Sequence, residues 1–227
     1  MINNKILKVL GMLLVFLSIS MLPSILWSIY YSETNEISSF LYSILLTFGV
    51  ALILYLVSYF FKESKHDISS VDAFTIVTLG WFLTALFGSF PYYFSLNNLS
   101  FVDCFFESMS GFTTTGSTIL GESSISIESL GHGLLFWRSF TQFLGGMGII
   151  VFSIALLPLL GIGGVQLFRA EVAGPTADKI TPRIKQTAKL LWSIYMTFIL
   201  IETLLLYLFG MNFFDSICHS FATMATG

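Results

Sequence analysis

Phe101 to Thr118 reads FVDCFFESMSGFTTTGST, and how this stretch meets a membrane decides the fold. Its first part, Phe101 to Phe112, is apolar enough to enter hydrocarbon, but 12 helical residues reach only about 18 Å into a layer of about 30 Å. It has to turn back. Next comes Thr113-Thr114-Thr115-Gly116-Ser117-Thr118, a strip of poor helix formers around a glycine that permits backbone angles closed to other residues. Non-helical backbone at membrane depth survives only where protein shields it or where it lines a watery path. A short helix that descends and an extended polar strip that returns are the parts of a pore loop.

The rest of the chain provides the membrane setting. Of 227 residues, 10 are Lys or Arg and 13 are Asp or Glu, so charged residues make up 10 %, hydrophobic residues 55 %, and mean hydropathy is +0.85. An ordinary soluble domain carries about 25 % charge, so too few polar residues are available to coat a surface. The net charge of −3 and the lack of a basic run also argue against nucleic acid as a partner. Cys104 and Cys218 fit no metal-ligand spacing and read as small buried thiols.

Five stretches are candidate spans: Ile6–Tyr30, Phe40–Phe61, Ala73–Phe94, a fourth from Gly133, and Leu190–Met211. The first is too long for a signal peptide and lacks a small-residue cleavage site. Lys5 precedes span one and Lys8 lies near its start, Lys62 and Lys65 follow span two, and Arg169, Lys179, Arg183, Lys185 and Lys189 lie between spans four and five. A cytoplasmic N-terminus puts all of these inside and Glu33, Glu36, Glu122 and Glu128 outside. That topology requires the Phe101–Thr118 region to enter and leave on the same side, which agrees with a pore loop. The C-terminal end of the descending helix carries about half a negative charge toward mid-membrane and favours a cation. Carbonyls of a Thr/Gly strip, helped by hydroxyls, can replace the water of a monovalent ion, and the strip holds no carboxylate that would tune it for a divalent one.

The pattern occurs twice. Val102–Thr115 lies without a gap over Phe214–Gly227, matching Asp103 with Asp215, Ser108 with Ser220 and Thr114 with Thr226. Each copy follows a span, so the repeating unit is span, short helix, polar strip, span. On this reading the chain stops inside its second pore loop.

Thr113 to Thr118, Leu144-Gly145-Gly146-Met147-Gly148-Ile149-Ile150, the segment Gly161 to Glu171 and the terminal Ala225-Thr226-Gly227 together resemble Trk-type potassium uptake proteins (TrkH-like) of the Trk/Ktr/HKT superfamily. The resemblance covers essentially the whole chain. It implies an all-α multi-pass membrane protein: two prefix helices at 1–69, a first span–pore-loop–span unit at 70–168, a cytoplasmic linker at 169–189, and the start of a second unit at 190–227. It also implies potassium as the transported ion with no organic cofactor, an inner-membrane location, a cytosolic nucleotide-binding regulatory subunit as partner, and a homodimer in the full-length protein. Thr114, Thr115, Gly116 and Ser117 would then be the first unit's part of the selectivity filter, with Thr226 and Gly227 opening the second; potassium would sit at Thr114, Thr115, Thr226 and Gly227. Transport down the electrochemical gradient is the primary reading. A symporter coupled to protons or sodium is the alternative, and a membrane-embedded enzyme lacks any paired nucleophile and base.

Other residues carry two readings each. Asp103 and Asp215 can cap their short helices or attract ions at the outer mouth. Glu107 and Arg138 are expected to pair and brace the pore helix against span four, against the simpler option that Arg138 reaches out to the interface. Ser139 to Phe168 holds no charge and is too long for one straight helix; Gly145, Gly146 and Gly148 provide either close packing or a hinge near the pore, and Pro158 breaks hydrogen bonds further on. Gly161, Gly163 and Gly164 read as the cytoplasmic exit turn. Glu202 and His219 are either structural or proton-relay groups, and Arg169 to Lys189 is either a solvated linker or a docking segment.

Overall fold

The computed structural model describes residues 4–60, 70–96, 98–121, 126–148 and 184–227, and every regular element among them is helical. Helices α1 (Asn4–Ser20) and α2 (Leu22–Tyr30) make the first crossing, α3 (Thr34–Phe60) the second, and α4 (Ser70–Gly88) with α5 (Phe90–Ser95) the third. Helix α6 (Phe101–Phe112) is the short descending helix. After a 3-10 turn at Ile127–Ser129 comes α7 (His132–Phe143), which runs into a π-helical turn, Leu144–Gly148; α8 (Ile184–Leu208) and α9 (Phe213–Ala225) complete the described chain.

Four stretches are long and apolar enough to cross a membrane: Asn4–Tyr30, Thr34–Phe60, Phe74–Ser95 and Lys189–Leu208. They are the first, second, third and fifth expected spans. The fourth begins as α7 and continues outside the described residues, as do Lys62, Lys65, Glu122, Pro158, the glycines at 161, 163 and 164, and residues 169–183. Helix α8 starts at Ile184, inside the stretch read as linker, because Lys185, Gln186, Ala188 and Lys189 are all good helix formers.

Spans one and three are each two helices. Pro23 and Pro91 stand in the first turns of α2 and α5, where a proline without N–H interrupts the ladder, and the junction residues Met21 and Ser89 stay in the helical region. The ladder is interrupted there while the backbone stays helical. At the second break the Trp137 indole donates to the Gly88 carbonyl at 3.0 Å, so this deeply buried ring ties α7 to the end of α4.

Small residues set the helix spacing. A Cβ on Gly11 of α1 would sit 3.2 Å from the Ala51 carbonyl oxygen of α3, so glycine lets the two helices touch backbone to backbone. Ser39, Ser43 and Thr47 line the buried stripe of α3 and return their hydroxyls to carbonyls one turn back at 2.7–2.9 Å, leaving no polar atom stranded. The opposite face, including Leu45 and Leu56, is apolar and exposed, as a lipid-facing surface should be. Helix α7 packs against α2 and α9, α6 against α4, and α9 against α8. Phe221 of α9 fits among Phe136, Phe140 and Phe143 of α7, with ring centroids 4.8–5.9 Å apart.

Candidate pore-loop site

The two short helices start in the same way. Ser100 caps α6 by accepting from the Asp103 N–H at 3.3 Å, while Asp103 Oδ2 accepts from the Ser100 N–H at 3.1 Å and its hydroxyl at 2.8 Å, a closed capping box. Asn212 caps α9 by accepting from the Asp215 N–H at 2.8 Å and donates from its amide to Asp215 Oδ2 at 2.6 Å. Both aspartates are thus engaged at helix N-termini, where their charge meets the positive dipole end.

They also end in the same way. The Thr114 N–H donates to the Gly111 carbonyl and the Thr115 N–H to the Ser110 carbonyl, each at 3.0 Å, around a left-handed Thr114 with φ 55°. In the matching register, the Thr226 N–H donates to Thr223 and the Gly227 N–H to Ala222, each at 3.0 Å, around Thr226 with φ 59°. This double bond pattern with a left-handed residue is how many helices close their last turn, normally with glycine in the left-handed place. Threonine there is rare and strained. Its occurrence at the corresponding position of both copies shows that the repeat extends to backbone conformation.

Beyond the cap the first strip is extended, with Thr113, Thr115 and Ser117 exposed and Thr114, Gly116 and Thr118 half-buried. The Thr113 and Thr115 hydroxyls lie 2.8 Å apart. Gly116 has φ 72°, and a Cβ added to it would lie 2.6 Å from the Gly227 carbonyl carbon. The structure therefore brings the Thr114–Ser117 strip and the Thr226–Gly227 strip together at two glycines, backbone against backbone. The Ser117 carbonyl accepts from the Ser110 hydroxyl of α6 at 2.5 Å, so one lone pair of this strip carbonyl is already used.

Glu107 and Arg138 do pair, Arg138 Nε to Glu107 Oε1 at 2.8 Å, with the Glu107 side chain only 3 % exposed. The carboxylate does more than the sequence suggested. Its other oxygen accepts from the Thr118 hydroxyl at 2.8 Å and the Ile119 N–H at 3.3 Å, tying the return strip to α6. The π-helical turn holds the two short helices from the other side. A Cβ on Gly145 would strike the Phe112 carbonyl at the end of α6, and one on Gly146 would come within 2.8 Å of the Tyr195 hydroxyl and 3.6 Å of Ala225 Cα at the end of α9. The two glycines thus back the ends of both short helices, while Gly148 lies in the same turn. Gln142, also buried, stands behind Gly227: a Cβ there would be 2.8 Å from the Gln142 amide carbon.

Sequence reasoning missed the cluster at the other end of α7. The Glu33 carboxylate accepts from the His132 N–H at 2.9 Å, its ring at 2.8 Å and the Gly133 N–H at 3.3 Å; Glu36, 6 % exposed, accepts from the Leu134 N–H at 3.1 Å and the Ser28 hydroxyl at 3.2 Å. Two acids read as outer-loop residues in fact cap a helix about 100 positions away, at its positive end. Desolvation works against the ionised form of Glu33, but the hydrogen bonds from His132 and Gly133 outweigh it and hold its carboxyl below the usual 4.5. Tyr31 stacks on His132 with centroids 3.4 Å apart, and Phe214 of α9 meets the His132 ring edge-on at 5.0 Å. The available clue was that two acids beside the start of a span must find donors. Glu202 is half-buried on α8 and His219 exposed on α9. Cys104 and Cys218 are free thiols. Among the described residues no cluster of His, Cys, Asp and Glu could hold a metal ion.

Comparison with known proteins agrees with this architecture. Residues 41–227 match the family model TrkH, described as a cation transport protein. The chain is 41 % identical over 227 aligned positions to the Trk system potassium uptake protein TrkH of Vibrio parahaemolyticus, covering 99 % of this chain and 45 % of that protein. It is 48 % identical over 168 positions to TrkH of Escherichia coli strain K12, covering 73 % of this chain and 34 % of that protein. The crystal structure of the potassium transporter TrkH from Vibrio parahaemolyticus superposes with a TM-score of 0.73 at 36 % identity, covering 96 % of this chain and 42 % of that one. The chain spans about half the length of the curated relatives it matches. With an all-helical fold, four candidate spans and a family match over most of its length, this membrane chain belongs to the TrkH family of cation transport proteins.

Proposed function

We propose that this chain takes part in potassium uptake across the inner membrane, supplying one wall of a pore-loop selectivity filter and the start of a second. One observation carries the reading: two strips with the same left-handed threonine meet backbone to backbone at Gly116 and Gly227. Thr114, Thr115, Gly116, Ser117, Thr226 and Gly227 contribute to the filter, and potassium exchanges its water for oxygens of Thr114, Thr115, Thr226 and Gly227. Among the described residues the carboxylate bonded to the strip is Glu107, with both oxygens engaged by protein donors, which suits a monovalent cargo. The relatives' names, Trk system potassium uptake proteins, support potassium in particular.

With the N-terminus inside, 1–69 forms the two prefix helices, 70–168 the first unit, 169–189 the cytoplasmic connection and 190–227 the start of the next. A negative interior drives cation entry with about 2.3 kcal/mol per charge for each 100 mV. In the assembled transporter the chain works as a homodimer with a cytosolic nucleotide-binding regulatory subunit, and the 169–189 segment lies on the side where that subunit docks. Gly145 and Gly146, behind the short helices, and Gly148 in the same turn allow the pore to change its opening.

The test is potassium-limited growth and rubidium uptake in an uptake-deficient cell carrying the complete gene, against a Gly116→Ser version of matched membrane abundance. The variant is expected to lose uptake at low potassium and to discriminate poorly against sodium. Unchanged uptake and preference would sink the filter assignment, and uptake that vanishes when proton or sodium gradients are collapsed at constant potential would replace gradient-driven entry with symport.

A further inference from the structure

Glu107 divides its two oxygens between two tasks. Oε1 takes the Arg138 Nε–H of α7, and Oε2 takes the Thr118 hydroxyl and the Ile119 N–H of the return strip. One turn on, the same face of α6 presents Ser110, whose hydroxyl donates to the Ser117 carbonyl. Three consecutive strip residues are thereby pinned to the short helix. Thr118 is locked a second time, its hydroxyl accepting the Leu120 N–H at 3.1 Å. The Glu107 carboxylate, with its side chain 3 % exposed, cannot exchange these donors for water without cost.

We propose that Glu107 is a positioning residue for ion selection: by fixing the height of Ser117–Ile119 on α6, it fixes where the carbonyls of Thr114 to Gly116 lie along the ion path, and Arg138 holds the carboxylate in the orientation that allows this. The inference rests on the filter reading above. Discrimination between monovalent ions depends on the distance and number of carbonyl oxygens offered, so a strip free to slide loses preference before it loses flow. The polar chemistry makes a specific demand. A glutamine at 107 has one accepting oxygen; if it serves the strip, its amide N–H points at the Arg138 N–H, and if it serves Arg138, an N–H points at that of Ile119. Glutamine at both positions removes the conflict, because the side-chain oxygen at 138 occupies the place of the arginine Nε and accepts from the amide at 107.

The complete gene is expressed in the uptake-deficient cell, and rubidium uptake is measured with and without competing sodium for wild type, Glu107→Gln, Glu107→Gln with Arg138→Gln, Thr118→Val and Gly116→Ser. Loss of a charged hydrogen bond predicts about a tenfold fall in preference over sodium for Glu107→Gln, a smaller fall for Thr118→Val, and recovery of most of the preference in the double variant. Recovery is the decisive result because preference is read as a ratio of rubidium to sodium in the protein that reaches the membrane, which a change in the amount of folded protein does not move. Unaltered preference in Glu107→Gln while Gly116→Ser shifts it overturns this role and leaves the filter reading standing. Unaltered preference in both overturns the two together. Where Glu107→Gln does not reach the membrane, Thr118→Val, which keeps the Glu107–Arg138 pair, decides: no shift in preference refutes the proposal.

Discussion

The π-helical turn can be tested without any transport measurement, by adding one methyl group at three glycines. At Gly145 the new Cβ would lie 2.0 Å from the Phe112 carbonyl oxygen and 2.7 Å from its carbon, whereas ordinary contact begins near 3.4 Å. The neighbour is backbone, so no rotamer relieves it, and α6 or the turn must move by about 1.4 Å, roughly the overpacking that costs 1–3 kcal/mol. At Gly146 the nearest atom is the Tyr195 hydroxyl at 2.8 Å, whose own bond to the Phe143 carbonyl is long at 3.4 Å. That side-chain end can give way, at a cost of about 1 kcal/mol or less. Gly49, inside α3, has nothing within 4 Å of its added Cβ, and alanine there should stabilise by about 0.5–1 kcal/mol through the helix itself. Thermal unfolding of the purified complete protein in detergent should therefore rank Gly49→Ala above wild type, Gly146→Ala at or slightly below it, and Gly145→Ala lowest. A Gly145→Ala protein as stable as Gly49→Ala would show that the turn does not rest on the end of α6.

Two further perturbations separate structural from functional charge. Because the Glu33 carboxyl is held below its ordinary 4.5 in the folded protein, its contribution is fully present above that pH and disappears as pH falls through the lowered folded value; melting temperatures of wild type and Glu33→Gln should differ at neutral pH and converge in acid. A gap that stays constant through that range would mean the capping of His132 and Gly133 does not depend on ionisation. Asp103→Asn keeps an oxygen for the Ser100 N–H but loses the charge, so it should leave uptake at low potassium unchanged, while Ser100→Ala should lower stability by about 1 kcal/mol. A raised potassium requirement in Asp103→Asn would favour ion attraction at the mouth over capping.

The short helix and its polar return strip were legible because their cause is local. A 12-residue apolar helix cannot cross, and the Thr/Gly strip cannot continue it. The repeat made the second copy legible by the same rule, and the register that matched Asp103 with Asp215 is the one in which both caps and both left-handed threonines coincide. The breaks in spans one and three were less visible, since Pro23 and Pro91 fall inside otherwise uninterrupted apolar runs and a proline in a first turn interrupts the hydrogen-bond ladder without changing hydropathy. Glu33 and Glu36 were opaque for a different reason. Three of their five donors are backbone N–H groups of α7, and backbone donors have no letter in the sequence.

The same distinction explains why the Glu107–Arg138 pair could be anticipated while the role of Thr118 could not. Two opposite charges in apolar surroundings must find each other, and the structure brings them to 2.8 Å. A carboxylate, however, has more lone pairs than one guanidinium Nε–H can fill, and at 3 % exposure the remainder must also be satisfied. The nearest unpaired donors belong to the strip that has just left the end of the short helix, so once Glu107 is buried beside Arg138, the return strip is drawn back along α6. The polar cost of burying one charged pair is thereby turned into the constraint that shapes the strip.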